Sequence, residues 1–256
     1  MSERVIDYGE RGLVRIVADA GALARASAQL VLDMTTEAVS DRGVATIALS
    51  GGSTPKAMGG ILREEPYRSA VPWGSLHVFW GDERWVGIDD AESNAGEALR
   101  GYLNEMIVPT TQVHPFRTSG SPAEAADAYE SILRSVVPGE PIPIFDLVLL
   151  GMGDDGHTAS LFPETGALSV TDRLVVDNHV PSLETTRLTF TTPLINAARR
   201  VTFLLAGGGK AERLAEVLDG PDDPHRLPSQ LIRPRGGELV WLVDEAAASR
   251  LARTSG

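Results

Sequence analysis

A chain of 256 residues with 43% hydrophobic content is long enough for one large α/β domain or two small ones, and no apolar run approaches the roughly 20 residues that span a bilayer. A formal charge of −12 argues against a broad nucleic-acid surface, and the absence of cysteine excludes disulfides, thiolate catalysis and cysteine-based metal sites. The cysteine-free composition fits a cytoplasmic home, and residues 1–8 lack the cationic-then-apolar order of a signal peptide. An anionic substrate would need a local concentration of positive groups. Of 23 cationic residues only Lys56 and Lys210 are lysines, and each follows a glycine-rich turn.

In chain order, residues 18–40 read as a helix packed on one face, with Gly43 as its stop. Residues 44–49 form an apolar strand that runs into Ser50-Gly51-Gly52-Ser53-Thr54-Pro55 and a helix ending near Arg63. Thr54 is the expected N-cap and Pro55 the expected first helical residue. The strand at 76–80 leads into a charged turn, Gly81-Asp82-Glu83-Arg84-Trp85. Residues 145–150 form another buried strand, followed by Gly151-Met152-Gly153-Asp154-Asp155-Gly156-His157. Arg187 begins an alternating stretch that reads as a strand. Residues 201–205 lead through a triple-glycine turn to Lys210 and a helix to Leu218, and residues 239–243 lead into Asp244 and a last helix. His77 falls in a strand, while His114, His179 and His225 fall in loops.

Alternating strands and helices predict parallel pairing with right-handed crossovers, hence a layered αβα sandwich. Pro/Gly-rich breaks at 117–122, 138–143 and 219–228 read as surface loops, so a single domain over 1–256 is expected. The stacked units bring Ser53, Arg84, His157 and Lys210 to strand-end loops along one edge of one sheet.

The Ser50–Thr54 turn has the makings of a phosphate cradle, with free N–H groups, a positive helix end and two hydroxyls. Otherwise it is a plain tight turn with a helix cap. No Walker loop accompanies it, and Gly209-Lys210 does not form one. Arg84 can bind phosphate or stabilise an oxyanion, with Asp82 or Glu83 holding it; the alternative is a solvated ion pair. His157 is a candidate general base with Asp155 to orient it; a structural helix-capping histidine is the alternative, and a metal site lacks a second histidine at ligand spacing.

Taken in order, Leu49–Pro55, Phe79–Arg84, Ser93-Asn94, 150–163, Arg187-Leu188-Thr189 and 206–210 resemble the glucosamine-6-phosphate isomerase/6-phosphogluconolactonase family, on its lactonase side. A weaker match lies at 228–234. The resemblance implies a three-layer αβα sandwich with a mostly parallel, Rossmann-like sheet of the NagB and CoA-transferase type. It implies hydrolysis of 6-phospho-D-glucono-1,5-lactone in the oxidative pentose phosphate pathway, with His157, Asp155 and Arg84 in catalysis. Gly51, Gly52, Ser53, Thr54, Asp82, Arg187 and Lys210 would hold the substrate and its phosphate. No metal or organic cofactor, nucleic acid or membrane is implied, and the protein is expected as a monomer or small homo-oligomer. The deaminase branch typically carries a glutamate where this chain has Phe162, which favours lactone hydrolysis over amino-sugar chemistry. Sugar-phosphate sensors of the same fold usually carry an N-terminal helix–turn–helix, and residues 1–43 offer one alanine-rich helix instead.

Overall fold

The computed structural model describes residues 4–254; residues 1–3 of the segment read for a signal peptide lie outside them. Two strands that no apolar run announces come first, β1 (Arg4–Asp7) and β2 (Leu13–Val17). β1 has no buried residue, so it carries no hydrophobic pattern. Asp19 Oδ1 then accepts from Ala22 N at 2.7 Å and caps α1 (Ala20–Arg42), which Gly43 ends as expected, at φ 78°.

The chain continues through β3 (Ala45–Leu49), α2 (Ser53–Leu62), α3 (Tyr67–Ala70), β4 (Leu76–Trp80), β5 (Asp82–Arg84), α4 (Asn94–Gly101), α5 (Pro122–Val136) and β6 (Leu147–Leu150). It closes with β7 (Val175–Val180), β8 (Thr185–Phe190), α6 (Thr192–Ile195), β9 (Arg200–Leu205), α7 (Ala211–Asp219) and β10 (Glu238–Asp244).

Seven strands form the central sheet in the order β1-β2-β10-β9-β6-β3-β4, parallel throughout except for β1 against β2. β3 and β6 are buried at every position. Flanking helices therefore cover both faces, which is why these strands read as unbroken apolar runs. From β3 the chain moves to β4 on one side, while β6 lies on the other. The carboxyl ends of β3 and β6 thus bracket a point where strand order reverses, the place where open α/β sheets bind ligands.

β5, β8 and β7 form a second, antiparallel sheet, over which α5 packs. Gly81 joins the two sheets: its N–H donates to Leu49 O at 2.9 Å, and its carbonyl accepts from Phe190 N at 2.8 Å. From α5, Tyr129 braces the same corner by accepting from Trp80 N at 3.0 Å and donating to His114 O at 2.8 Å. Around it Phe79 meets Phe145 edge-on and Phe116 stacks on Tyr129.

The structure corrects the sequence reading at several points. α2 begins at Ser53 with Gly52 as its cap, so Thr54 is a first-turn residue rather than the N-cap. The charged segment after β4 is not a turn; it is the strand β5, held by pairing with β8. His179 lies in β7 and not in a loop. Among the described residues no α-helix follows β10: the chain runs through turns to a 3-10 segment, Ala252–Thr254. The Asp244 side chain takes the Ala247 N–H at 2.7 Å while also holding Gly207, so it serves a loop contact as well as a local cap.

On β4, His77 Nδ1 lies 3.0 Å from His114 Nε2, so in the neutral pair one ring nitrogen donates and the other accepts. Burial lowers the His77 pKa, and burial together with His77 pushes His114 down to about 4. Between the ordinary value of 6.5 and about 4, the unfolded chain binds protons that the folded pair refuses, so stability falls as the pH drops through that window. His114→Phe keeps a ring against Phe79 and removes the more strongly shifted of the two titrating groups. Thermal melts at about pH 7.5 and about pH 5 should show this variant losing less stability on acidification than the wild type.

Candidate active site

Loops from β3, β6 and β9 meet β5 and β8 around a cleft with two compartments. The first, of about 310 Å³, is lined by Gly51, Gly52, Asn94, Gly153 and Lys210. The second, of about 360 Å³, is lined by Asp155, Phe162, Leu183 and Arg187. Asp82, Arg84, His157 and Ala159 belong to both walls. His157 and Arg84 therefore stand between a glycine-and-lysine pole and an arginine pole.

His157 is held tightly. Its Nδ1 lies 2.6 Å from Asp155 Oδ1, which also accepts the His157 backbone N–H at 3.0 Å. Burial raises the Asp155 pKa, but the hydrogen bond and charge of His157 outweigh it and hold this carboxyl below its ordinary value. An ionised carboxylate only accepts, so Nδ1 carries the proton, and in the neutral ring Nε2 keeps its lone pair. The imidazole also stacks on Phe162, with centroids 4.0 Å apart and planes 25° off parallel. The preceding turn is pinned from the 228–234 segment, where Ser229 N and Oγ donate to Gly156 O at 3.0 and 2.9 Å.

β5 presents its residues alternately. Asp82 and Arg84 line the cleft, while Glu83 turns the other way and is 1% exposed. Asp82 Oδ2 accepts from Ser160 Oγ at 2.8 Å. Glu83 accepts from Arg84 N, Ser93 Oγ, Asn94 N and Ala95 N at 2.8–3.0 Å, at the start of α4. Neither acid holds the Arg84 side chain as expected; its Nη1 donates to Glu92 O at 2.5 Å. In the β5–β8 register Arg84 stands opposite Arg187. Burial, and then the charge of Arg84, lower the Arg187 pKa, so two cations share a wall that an anion would relieve.

Lys210 follows a turn fixed by Asp244, whose two carboxylate oxygens each accept from Gly207 N at 3.0 Å. Its Nζ lies 2.6 Å from Asp154 Oδ1, and this contact holds the Asp154 pKa below its ordinary value. Lys56 lies outside the cleft, paired with Glu97 at 3.0 Å, beside a separate cavity behind the Gly51 turn.

Of the expected residues, Gly51, Gly52, Asp82, Arg84, Asp155, His157, Arg187 and Lys210 line the cleft. Ser53 and Thr54 lie in the first turn of α2, outside both walls, and Arg84 sits on the small sheet rather than on a strand-end loop of the central one. Sequence reasoning assigned no task to Asn94, Ser160 or Leu183; for Asn94 the only signal was the Ser93-Asn94 motif. Among the described residues no three His, Asp or Glu side chains converge as a metal-ligand set.

A family model described as glucosamine-6-phosphate isomerases/6-phosphogluconolactonase matches residues 18–241. A 6-phosphogluconolactonase of Synechocystis sp. is 46% identical over 219 residues, covering 84% of this chain and 88% of its own length. One from Nostoc sp. is 43% identical over 243 residues, covering 93% and 98%. The solved 6-phosphogluconolactonase of Trypanosoma brucei superposes with a TM-score of 0.82 at 29% identity, covering 93% of this chain and 98% of that one. The cleft therefore lies in a chain that belongs to the glucosamine-6-phosphate isomerase/6-phosphogluconolactonase family.

Proposed function

We propose that this chain hydrolyses 6-phospho-D-glucono-1,5-lactone to 6-phospho-D-gluconate, the second step of the oxidative pentose phosphate pathway. The observation that carries this choice within the family is the Phe162 ring stacked on His157. An apolar side chain occupies the position where amino-sugar ring opening would call for a second acid, and what remains is one oriented base. That suffices for an activated ester.

In the proposed mechanism, His157 Nε2 takes a proton from water as the water oxygen bonds to the lactone carbonyl carbon. The carbonyl electrons move onto oxygen, where Arg84 and glycine-turn N–H groups stabilise the oxyanion, an interaction typically worth ~3 kcal/mol of barrier. As the tetrahedral intermediate collapses, the bond to the ring oxygen breaks and the imidazolium returns its proton to that oxygen. Asp155 keeps Nδ1 protonated throughout and stabilises the transient cation.

We assign the phosphate to Lys210 and the Gly51-Gly52 turn, with Ser53 and Thr54 at the start of the same helix as outer ligands and Arg187, at the opposite pole, as a further substrate contact. Asp82, one oxygen of which is held by Ser160, is assigned to sugar hydroxyls. The proposed compartment is the cytoplasm, and the proposed form is one domain acting as a monomer or small homo-oligomer. A net charge of −12 supports a small-molecule partner over nucleic acid.

The direct test follows acid release from freshly made lactone against its spontaneous rate, with ammonia release from glucosamine 6-phosphate in parallel. Acceleration without ammonia supports the assignment; no acceleration overturns it. His157→Ala should lower kcat by ~10²–10⁴ with little change in KM. Near wild-type turnover in that variant would show that the base lies elsewhere. Lys210→Ala should instead raise KM roughly 10–100-fold, the usual cost of a lost charged hydrogen bond, while kcat changes little.

A further inference from the structure

The Ser93-Asn94 motif has no task in the mechanism above, yet Asn94 lines the first compartment between the Gly51 turn and β5. It opens α4 and is 5% exposed. Its Nδ2 donates to Asp82 O at 3.1 Å and lies 3.5 Å from Asp82 Oδ1. On the opposite side its carboxamide presses on the anion turn: a Cβ added to Gly51 would fall 1.8 Å from Asn94 Oδ1 and 2.5 Å from its Cγ. No side chain fits at 51 while the amide stays in place. The backbone of Asn94 has no slack either, because its N–H and that of Ala95 donate to the buried Glu83 carboxylate at 2.8 and 2.9 Å.

We infer that Asn94 is a positioning residue, a wedge that sets the separation between the Gly51-Gly52 turn and the β5 strand carrying Arg84. The inference rests on the lactonase reading, in which the turn grips phosphate while Arg84 meets the carbonyl oxygen. A cyclic substrate spans both groups with little slack, so their spacing decides whether the carbonyl carbon lies within reach of the water held by His157. A misplacement of about 1 Å can cost ~10²-fold in rate.

The test compares wild type, Asn94→Ala, Gly51→Ala and the double variant, using lactone turnover and calorimetric binding of inorganic phosphate. Asn94→Ala should lower kcat/KM roughly 10–100-fold through both constants, and weaken phosphate binding about threefold or more. Gly51→Ala should be comparably damaging in the wild-type background, where it strikes the amide. In the Asn94→Ala background it should cost less than about threefold, because the obstructing atoms are gone. A purely structural role for Asn94 would instead lower the melting temperature while leaving turnover and phosphate affinity of the folded Asn94→Ala protein near wild type. Turnover and phosphate affinity within about twofold of wild type in Asn94→Ala, or equal cost of Gly51→Ala in both backgrounds, overturns the inference. Should Asn94→Ala fail to fold, Asn94→Ser enters the same cycle. A wild type without lactone turnover would defeat the lactonase reading alone, and the phosphate-binding cycle would still decide whether Asn94 sets the turn.

Discussion

The cleft depends on one buried carboxylate. Glu83 is nearly inaccessible, and an ionised group there would cost several kcal/mol if left bare. Burial does raise its pKa, against the pull of the N–H groups it accepts. Two of those donors, the N–H groups of Asn94 and Ala95, come from the open first turn of α4, where N–H groups have no partner within the helix and the helix dipole favours negative charge. The carboxylate and the helix end thus meet each other's need. Alternation along β5 does the rest: with Glu83 fixed behind the strand, Asp82 and Arg84 turn to the front.

This arrangement makes the site a junction of two sheets. The central sheet contributes loops at its point of reversal, carrying the glycine turn, His157 and Lys210. The small sheet contributes two adjacent arginines on rigid, hydrogen-bonded backbone. Gly81 bonds to both sheets, Tyr129 braces β4 from α5, and Asn94 holds β5 from α4, so the distances across the cleft are set by packing rather than by loop flexibility. Catalytic geometry of this kind is most exact when its side chains stand on regular elements.

The legible parts of the sequence were those with a physical reason to be so. β3, β4, β6, β9 and β10 are buried strands whose apolar runs could be little else, and the glycine-rich turns after β3, β6 and β9 stood out against them. β1 and β5 were illegible because pairing, rather than composition, makes them strands. Glu83 read as a holder of Arg84 or as half of a solvated ion pair, since its α4 partners lie ten to twelve residues away in a helix whose start is defined only in three dimensions. His157, Lys210 and Arg84 stood out by residue type and setting. The direction of Asp155 needed coordinates, and so did Asn94: an amide acting through shape and one hydrogen bond leaves no chemical signature in a sequence.

The contact between Lys210 and Asp154 gives the cleft a particular electrical character. Asp154 is 87% exposed and can swing into water, so an anion arriving at Lys210 would exchange one counter-ion for another instead of meeting a naked ammonium. Dissolved salt weakens both the pair that is broken and the pair that is made. The two effects partly cancel, and the affinity of such a site for its substrate is buffered against swings in ionic strength that would loosen the grip of an unpaired lysine.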